Sequence, residues 1–300
     1  MYSSLKKMGK IITSIFILLA FSAYSQEDIK SAQKHLDNGD FRKSKVILET
    51  RLKTNPDDEK AILMLGDIAS FEKKWDDALS YYKKLLNNNP SSADYNFRYG
   101  GVLGLKAITV SKIKAVVYIP DIKKHLEKAA DLDQKHIKSR RALVELYMQL
   151  PGLLGGSESK AQRYAHELKK IAPLEGVLSQ AYILKQTGKE SEARLLVQNA
   201  LNQINAPYST TSQNYLNYEF GKIAAEYDIE LQKGLRLLDS YISNYNYKDM
   251  HALEWAYYRK AQIHAHLKNK PEATKFIDKA LALKGDFEEA KLEKKKIQNL

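Results

Sequence analysis

Histidine is the residue type in this chain that could perform metal or acid–base chemistry near neutral pH. The chain has seven histidines, and no two of them stand in the His-Glu-x-x-His spacing that holds zinc on one face of a helix. The closest pair, His264 and His266, are two residues apart, so a helix would direct their rings to different sides. We therefore predict no metal site and interpret His264 as a packing residue.

Other reactive side chains give no catalytic pattern either. The chain contains no cysteine, which excludes disulfides, thiolate metal sites and a cysteine nucleophile. No serine-hydrolase elbow, nucleotide-binding loop or dinucleotide fingerprint is present in the sequence. We predict that the protein is not an enzyme and needs no cofactor.

One glycine-rich stretch has two interpretations. Residues 150–157 read Leu-Pro-Gly-Leu-Leu-Gly-Gly-Ser, and Ser159 stands three residues before Gln162, the spacing of a capping box that opens a helix. Turn formation explains most of this composition. Alternatively, backbone N–H groups of Gly155, Gly156 and Ser157 at a helix start would bind an anion or a carboxylate.

The N-terminus has the three parts of a secretory signal peptide. Three lysines, Lys6, Lys7 and Lys10, precede the apolar run 11–23, and small residues around position 25 offer a cleavage site. The run has 13 residues, against about 20 for a membrane-spanning helix, so a permanent anchor is the weaker alternative. We predict a signal peptide at 1–25, cleavage before Gln26 and a periplasmic location.

Charge narrows the class of partner. Removal of the three lysines changes the formal net charge from +12 to +12 − 3 = +9. Lysine and arginine alternate with acidic residues along most of the chain, which is typical of solvated helix faces. Because the protein is expected to be exported and has no compact basic motif, we expect no nucleic-acid partner and no stable membrane span after cleavage.

The elements that would position any site follow from an internal repeat. Asn55-Pro56 and Asn89-Pro90 are separated by 90 − 56 = 34 residues. Between them, small residues alternate with large ones at helical spacing. These residues are Leu65, Gly66, Ala69, Trp75, Ala78, Tyr82, Leu85 and Leu86.

This pattern resembles the tetratricopeptide-repeat (TPR) family. Two antiparallel helices pack closely where one presents a small residue to a bulky one, and Gly66 and Ala78 are expected to serve that contact. The resemblance implies an all-α, right-handed superhelical solenoid of about seven helix pairs with a C-terminal capping helix. The predicted units are 26–56, 57–90, 91–134, 135–173, 174–205, 206–247 and 248–285, with a cap at 286–300.

In TPR proteins the first helix of each pair lines a concave groove that holds partner segments. At the corresponding positions, the second to fourth units carry residues of mixed charge: Lys60, Leu63, Asp67, Asp94, Phe97, Lys138, Arg141 and Glu145. From the fifth unit onward these positions become aromatic: Tyr182, Tyr215, Tyr218, Trp255 and Tyr258. Rigid aromatic rings suit peptide recognition, although an aromatic stripe at helical spacing can also be inter-helix core.

Two insertions depart from the repeat. Residues 107–119 are mostly apolar, which favours lengthened helices that pack on the neighbouring unit over an exposed partner surface. The Pro-Gly-x-x-Gly-Gly-Ser loop resembles a trait of exported bacterial TPR proteins. We therefore expect an exported scaffold that binds a protein or peptide in its groove. The alternatives are a small-ligand-binding periplasmic accessory of an envelope transporter, or a self-assembling envelope protein.

Overall fold

The computed structural model describes residues 27–210, 213–246, 249 and 251–300. The predicted signal peptide and its cleavage site lie outside these residues. Within them the regular structure consists of sixteen α-helices and one 3-10 turn, which confirms the prediction of an all-α fold. Among the described helices, none combines the length and apolar composition that a bilayer span requires.

The chain divides into two compact units. Unit 1 ends at Ala142 and unit 2 covers Leu143–Leu300, so the boundary falls within one helix, α8. The helices of unit 1 are α1 (27–37), α2 (Phe41–Thr54), α3 (Glu59–Phe71), α4 (Trp75–Asn88), α5 (Ala93–Ala107), α6 (Lys112–Val116), α7 (Ile119–Leu132) and the start of α8 (Ile137–Gln149).

Unit 2 continues the same arrangement of adjacent helix pairs. It contains the end of α8, α9 (Glu158–Ile171), α10 (Pro173–Gln186), α11 (Glu190–Gln203), α12 (Asn214–Tyr227), α13 (Leu231–Ser243), α14 (Leu253–His266), α15 (Lys270–Leu283) and α16 (Glu288–Gln298). The 3-10 turn, Gly152–Leu154, joins α8 to α9. Sequence neighbours pack against each other in both units, for example α3 on α4 in unit 1, and α12 on α13 and α14 on α15 in unit 2.

Local sequence explains where these helices begin. The side chain of Asp58 accepts a hydrogen bond from the backbone N–H of Ala61 at 2.9 Å, which caps α3. Ser92 caps α5 in the same way through the N–H of Tyr95. Pro173 stands in the first turn of α10, where the missing N–H removes no helical hydrogen bond.

Small residues allow the helices of a pair to approach, as the repeat pattern predicted. A Cβ atom on Gly66 would lie 2.5 Å from the ring of Tyr82, so glycine is required for this contact between α3 and α4. A Cβ atom on Gly221 in α12 would likewise lie 2.5 Å from the side chain of Leu238 in α13. Ala78 is fully buried at the α3–α4 contact. The interior of each unit is therefore built pair by pair.

The structure corrects the expectation for residues 107–119. No long helices form there, because α5 ends at Ala107 and α6 has only five residues. Ile108, Ile113 and Val117 are largely exposed instead of packing on a neighbouring pair. The apolar composition suggested burial, but the only helix within this segment, α6, contacts α5 and buries none of its residues.

Candidate functional site

The first helices of three successive pairs in unit 2 are α10, α12 and α14. They carry the five aromatic residues singled out in the sequence, and the structure separates these into two groups by burial. Tyr182, Tyr215 and Trp255 are partly exposed, one on each helix. We call the surface formed by these three residues the aromatic face.

Tyr218 and Tyr258 belong to the interior of unit 2. Tyr218 is 2% exposed, and its ring centre lies 4.1 Å from that of His251 and 5.2 Å from that of Tyr241. Tyr258 is 8% exposed and packs on Phe287 at 5.3 Å. For these two residues the structure favours the inter-helix core over a groove surface.

Hydrogen bonds fix two rings of the aromatic face. The Tyr182 hydroxyl accepts from the Gln149 side-chain amide at 3.2 Å, which joins α10 to α8. The Tyr215 hydroxyl donates to the carboxylate of Glu175, a buried residue of α10. Partial burial raises the pKa of Tyr182, so its hydroxyl stays protonated at neutral pH.

Trp255 forms the third part of the aromatic face. Its ring meets that of Phe287 edge to face, with centres 4.4 Å apart, and that of Tyr258 at 5.9 Å. The guanidinium of Arg259 lies 6.0 Å from the Trp255 ring centre and 5.0 Å from that of Tyr258. Trp255 is thus held rigidly at the start of α14 while part of its ring reaches solvent.

Charged residues between the rings neutralise one another. Glu226 on α12 receives Lys185 from α10 at 3.4 Å and Arg259 from α14 at 2.8 Å. Glu219 contacts His251 at 2.9 Å. The two ion pairs of Glu226 connect α10 to α12 and α12 to α14.

Sequence reasoning identified the rings but missed these connecting residues. The signal was present in the helical spacing, because Glu219 and Glu226 follow Tyr215 at intervals that keep them on one side of α12. Arg259 likewise follows Trp255 by four residues. Their opposite signs on adjacent helices predict the ion pairs that the structure contains.

The first helices of unit 1 present a different surface. Arg98 on α5 forms ion pairs with Asp94 at 2.7 Å and with Asp67 on α3, and Tyr82 donates a hydrogen bond to Asp67 at 2.6 Å. We call the surface carrying Asp67, Asp94, Arg98 and Lys138 the charged face. Burial opposes ionisation of Arg98, but the two carboxylates outweigh it and raise its pKa.

Lys138, the fourth residue of the charged face, lies at the start of α8. Desolvation, followed by repulsion from Arg98, lowers the pKa of Lys138. The ring of Phe97 packs on His136 with centres 5.3 Å apart. Of the mixed-charge positions in the sequence, Asp67 and Asp94 thus share Arg98 as a common partner.

In the glycine-rich loop of residues 150–157, the backbone N–H groups donate hydrogen bonds to nearby backbone carbonyls. Gly155 donates to the carbonyl of Gly152 at 2.9 Å, Gly156 to that of Pro151 at 3.1 Å, and Ser157 to that of Tyr147 at 3.0 Å. The three amides that the anion-site interpretation requires are thus engaged within unit 2. This geometry supports turn formation and gives no support to a ligand site.

Backbone constraints account for the glycines themselves. Gly155 has φ +86°, the left-handed region, and a Cβ atom on Gly156 would lie 1.8 Å from the carbonyl oxygen of Leu150. The predicted capping residue is wrong: Ser157, not Ser159, caps α9 by accepting from the N–H of Lys160 at 3.2 Å. The cap lies two residues earlier because α9 begins directly after the glycine pair.

His264 behaves as a packing residue, whereas His266 contacts the backbone carbonyl of Ala225 at 3.0 Å. The His264 ring stacks on Phe276 with centres 5.3 Å apart and an interplanar angle of 7°. Its Nδ1 atom is buried and has no hydrogen-bond partner in the described part of the chain. The described residues contain no cluster of three or more histidine and acidic side chains that could hold a metal ion.

Comparison with known proteins assigns the fold. A tetratricopeptide-repeat family model matches residues 256–287, which include most of α14 and all of α15. No curated protein sequence matches the chain. The matched family is a repeat family and indicates no catalytic activity.

A solved structure agrees with this assignment. A tetratricopeptide repeat protein from Parabacteroides merdae is 12% identical, with a TM-score of 0.53 over 91% of this chain and 98% of that one. A thermophilic TPR protein from Thermus thermophilus is 18% identical, with a TM-score of 0.49 over 60% of this chain and 91% of that one. The first of these likenesses establishes a TPR fold.

Proposed function

We propose that this TPR-fold chain is an exported scaffold whose aromatic face binds a segment of a partner protein. TPR helix pairs generally serve as protein-binding scaffolds. One observation carries the proposal: Tyr182, Tyr215 and Trp255 present partly exposed rings on three successive first helices of unit 2. Such rings supply contact area at a low entropic cost because few torsions become fixed on binding.

The chemistry of the aromatic face indicates the kind of segment. Two basic residues on the same helices as its rings, Lys185 and Arg259, both already pair with Glu226. A partner that relied on charge would have to break these pairs. An extended or helical segment with apolar or aromatic side chains suits the aromatic face better, since it would cover the rings and leave the ion pairs intact.

Export is the second part of the proposal, and it rests on the N-terminal sequence. The lysines and the apolar run before Gln26 are the features of a signal peptide. The intact mass of protein purified from the envelope of the producing organism should correspond to a chain that begins at Gln26. A mass that still includes residues 1–25 would contradict cleavage.

Binding can be tested with peptides selected from a random library on the immobilised chain. We expect selected peptides to be rich in apolar residues and to bind Tyr182→Ala and Trp255→Ala variants at least about tenfold more weakly, as for aromatic residues central to an interface. The matched control is Tyr257→Ala. Tyr257 is on α14 as well, but stacks on Phe276 of α15.

Circular dichroism of every variant separates lost binding from lost folding. Folded Tyr182→Ala and Trp255→Ala variants that bind the selected peptides as tightly as the original chain would refute the aromatic face as the binding surface. A Tyr218→Ala or Tyr258→Ala variant is unsuitable for this purpose, because both residues are buried.

A further inference from the structure

A second exposed surface lies in unit 1, on the segment that joins α5 to α7. Ile108 is 78% exposed, Ile113 86% and Val117 75%. Aliphatic side chains are normally covered, and three of them this exposed within ten residues form an unusual apolar patch. We call residues 105–119 the apolar insertion.

The local structure explains why these side chains are exposed. Ala107, the last residue of α5, is buried, but the following residues leave the helix in a turn. The short helix α6 contacts α5 and has no buried residue. Its side chains therefore project into solvent instead of lining a cleft, as a groove for a peptide would require.

Lysines surround the exposed aliphatic residues. Residues 105–124 contain five lysines and one aspartate. Lys112 and Lys114 are exposed on α6 itself, and neither forms an ion pair within the described residues. Lys106 pairs with Asp76 and lies 5.5 Å from the ring centre of Tyr118. The apolar insertion thus combines a projecting apolar tip with unneutralised positive charge.

We propose that the apolar insertion docks on an anionic lipid surface. Its aliphatic side chains would enter the boundary between headgroups and acyl chains, while Lys112 and Lys114 contact anionic headgroups. A second copy of the chain fits less well, because a symmetric contact would bring the same lysines together. This surface is separate in sequence and chemistry from the aromatic face, so neither proposal depends on the other.

Vesicle co-sedimentation tests this docking directly. A chain that begins at Gln26 retains every described residue and lacks the apolar run 11–23, which would bind lipid by itself. We expect it to pellet with vesicles of phosphatidylglycerol and phosphatidylcholine, and to stay in solution with phosphatidylcholine alone. Raising the salt concentration should release it, since headgroup attraction is screened.

Two double variants separate the apolar and the charged contributions. Ile113→Asp/Val117→Asp should weaken binding to anionic vesicles by at least about tenfold, because two aliphatic side chains no longer leave water. Lys112→Gln/Lys114→Gln should weaken it by about fivefold per lysine. The control Val46→Asp/Leu195→Asp changes exposed aliphatic residues elsewhere, 58% and 61% exposed, and should bind like the original chain.

An Ile113→Trp variant adds a positive readout. Its tip stays apolar, so it should bind anionic vesicles at least as well as the original chain. Subtracting the tryptophan fluorescence of the original chain leaves the emission of the introduced tryptophan, which should shift to shorter wavelength when lipid is added. Absence of binding to anionic vesicles, or equal binding by Ile113→Asp/Val117→Asp, would overturn the proposal. A concentration-dependent dimer in solution that this double variant abolishes would overturn it in favour of a second copy.

Discussion

The first helices of the two units occupy equivalent places in their repeats but present opposite chemistry. In unit 1 the charged face is a network in which Arg98 joins two carboxylates and Tyr82 donates to one of them. In unit 2 the aromatic face consists of three partly exposed rings, and that of Trp255 packs on the buried Tyr258. The position in the repeat determines which side of a helix a residue faces. The residue type determines whether that side carries charges paired with one another or partly exposed rings.

Within unit 2 the connections between helices decide exposure. Tyr182 and Tyr218 stand on first helices of adjacent pairs, yet only Tyr182 reaches solvent. The long connection from α13 to α14 brings His251 over the Tyr218 ring, where Glu219 holds it at 2.9 Å. A partner can therefore contact only those rings that no connection covers.

The largest expected loss of stability should distinguish the buried ring of Tyr218 from the partly exposed ring of Tyr182. Tyr218→Ala should lower the free energy of unfolding by about 3–5 kcal/mol, because it leaves a cavity next to Tyr241 and His251. Tyr182→Ala should lower it by less than about 1 kcal/mol, as expected for a surface substitution. Urea denaturation of both variants measures the difference. Equal losses would show that the division by burial is wrong.

Glycine positions test the packing device that both units share. Gly66→Ala and Gly221→Ala should each lower the free energy of unfolding by about 1–3 kcal/mol, because the new methyl group overlaps Tyr82 or Leu238. The matched control is Gly101→Ala, where nothing lies within 4 Å of the added atom. This change should raise stability by about 0.5–1 kcal/mol through helix propensity.

The same denaturation experiment measures all three glycine variants. Stabilisation by Gly66→Ala or Gly221→Ala would contradict the close approach of the paired helices. Destabilisation by Gly101→Ala would indicate an unrecognised contact on α5.

The charged face predicts a smaller and salt-dependent effect. Arg98→Met should lower the free energy of unfolding by about 1–2 kcal/mol, because Asp67 and Asp94 lose their common partner while water still reaches them. The loss should shrink in 1 M salt. Arg163→Met is the control, since Arg163 is 57% exposed and 3.8 Å from Glu167. A loss that salt does not change would contradict an electrostatic role for Arg98.

The smallest effect concerns His264 and acidity. Desolvation and the nearby Lys260 lower the pKa of His264 in the folded chain. The unfolded chain therefore takes up this proton first, and stability should fall as the pH decreases below about 6.5. In a His264→Asn variant, unfolding measured between pH 8 and 5 should show a weaker decrease. Parallel curves for the two proteins would contradict this assignment.

The sequence predicted the fold through residues that act locally. The 34-residue spacing and the small residue at Gly66 depend on contacts within one helix pair, where the structure places Gly66 against Tyr82. The aromatic positions were also identified, but their exposure depends on distant residues. His251, which covers Tyr218, is 33 positions away in the sequence, and nothing in the repeat pattern specifies the path of its connection.

The expectation that the apolar insertion packs on a neighbouring unit rested on hydrophobicity alone and was wrong. Its composition favours burial, whereas the structure contains only a five-residue helix there that buries none of its residues. The glycine loop shows the converse case. Gly155 and Gly156 suggested an anion site, but the close approach to Leu150 and the positive φ explain both residues. The composition of the loop does not reveal which backbone angles and close contacts require its glycines.

Site-specific photo-crosslinking in the producing organism tests most directly whether the aromatic face holds the partner. A photoreactive phenylalanine replaces Tyr182 on the aromatic face or Phe97 beside the charged face, both partly exposed. We predict that position 182 forms a discrete adduct with one protein and that position 97 does not. An adduct with that protein at position 97 alone would contradict the account.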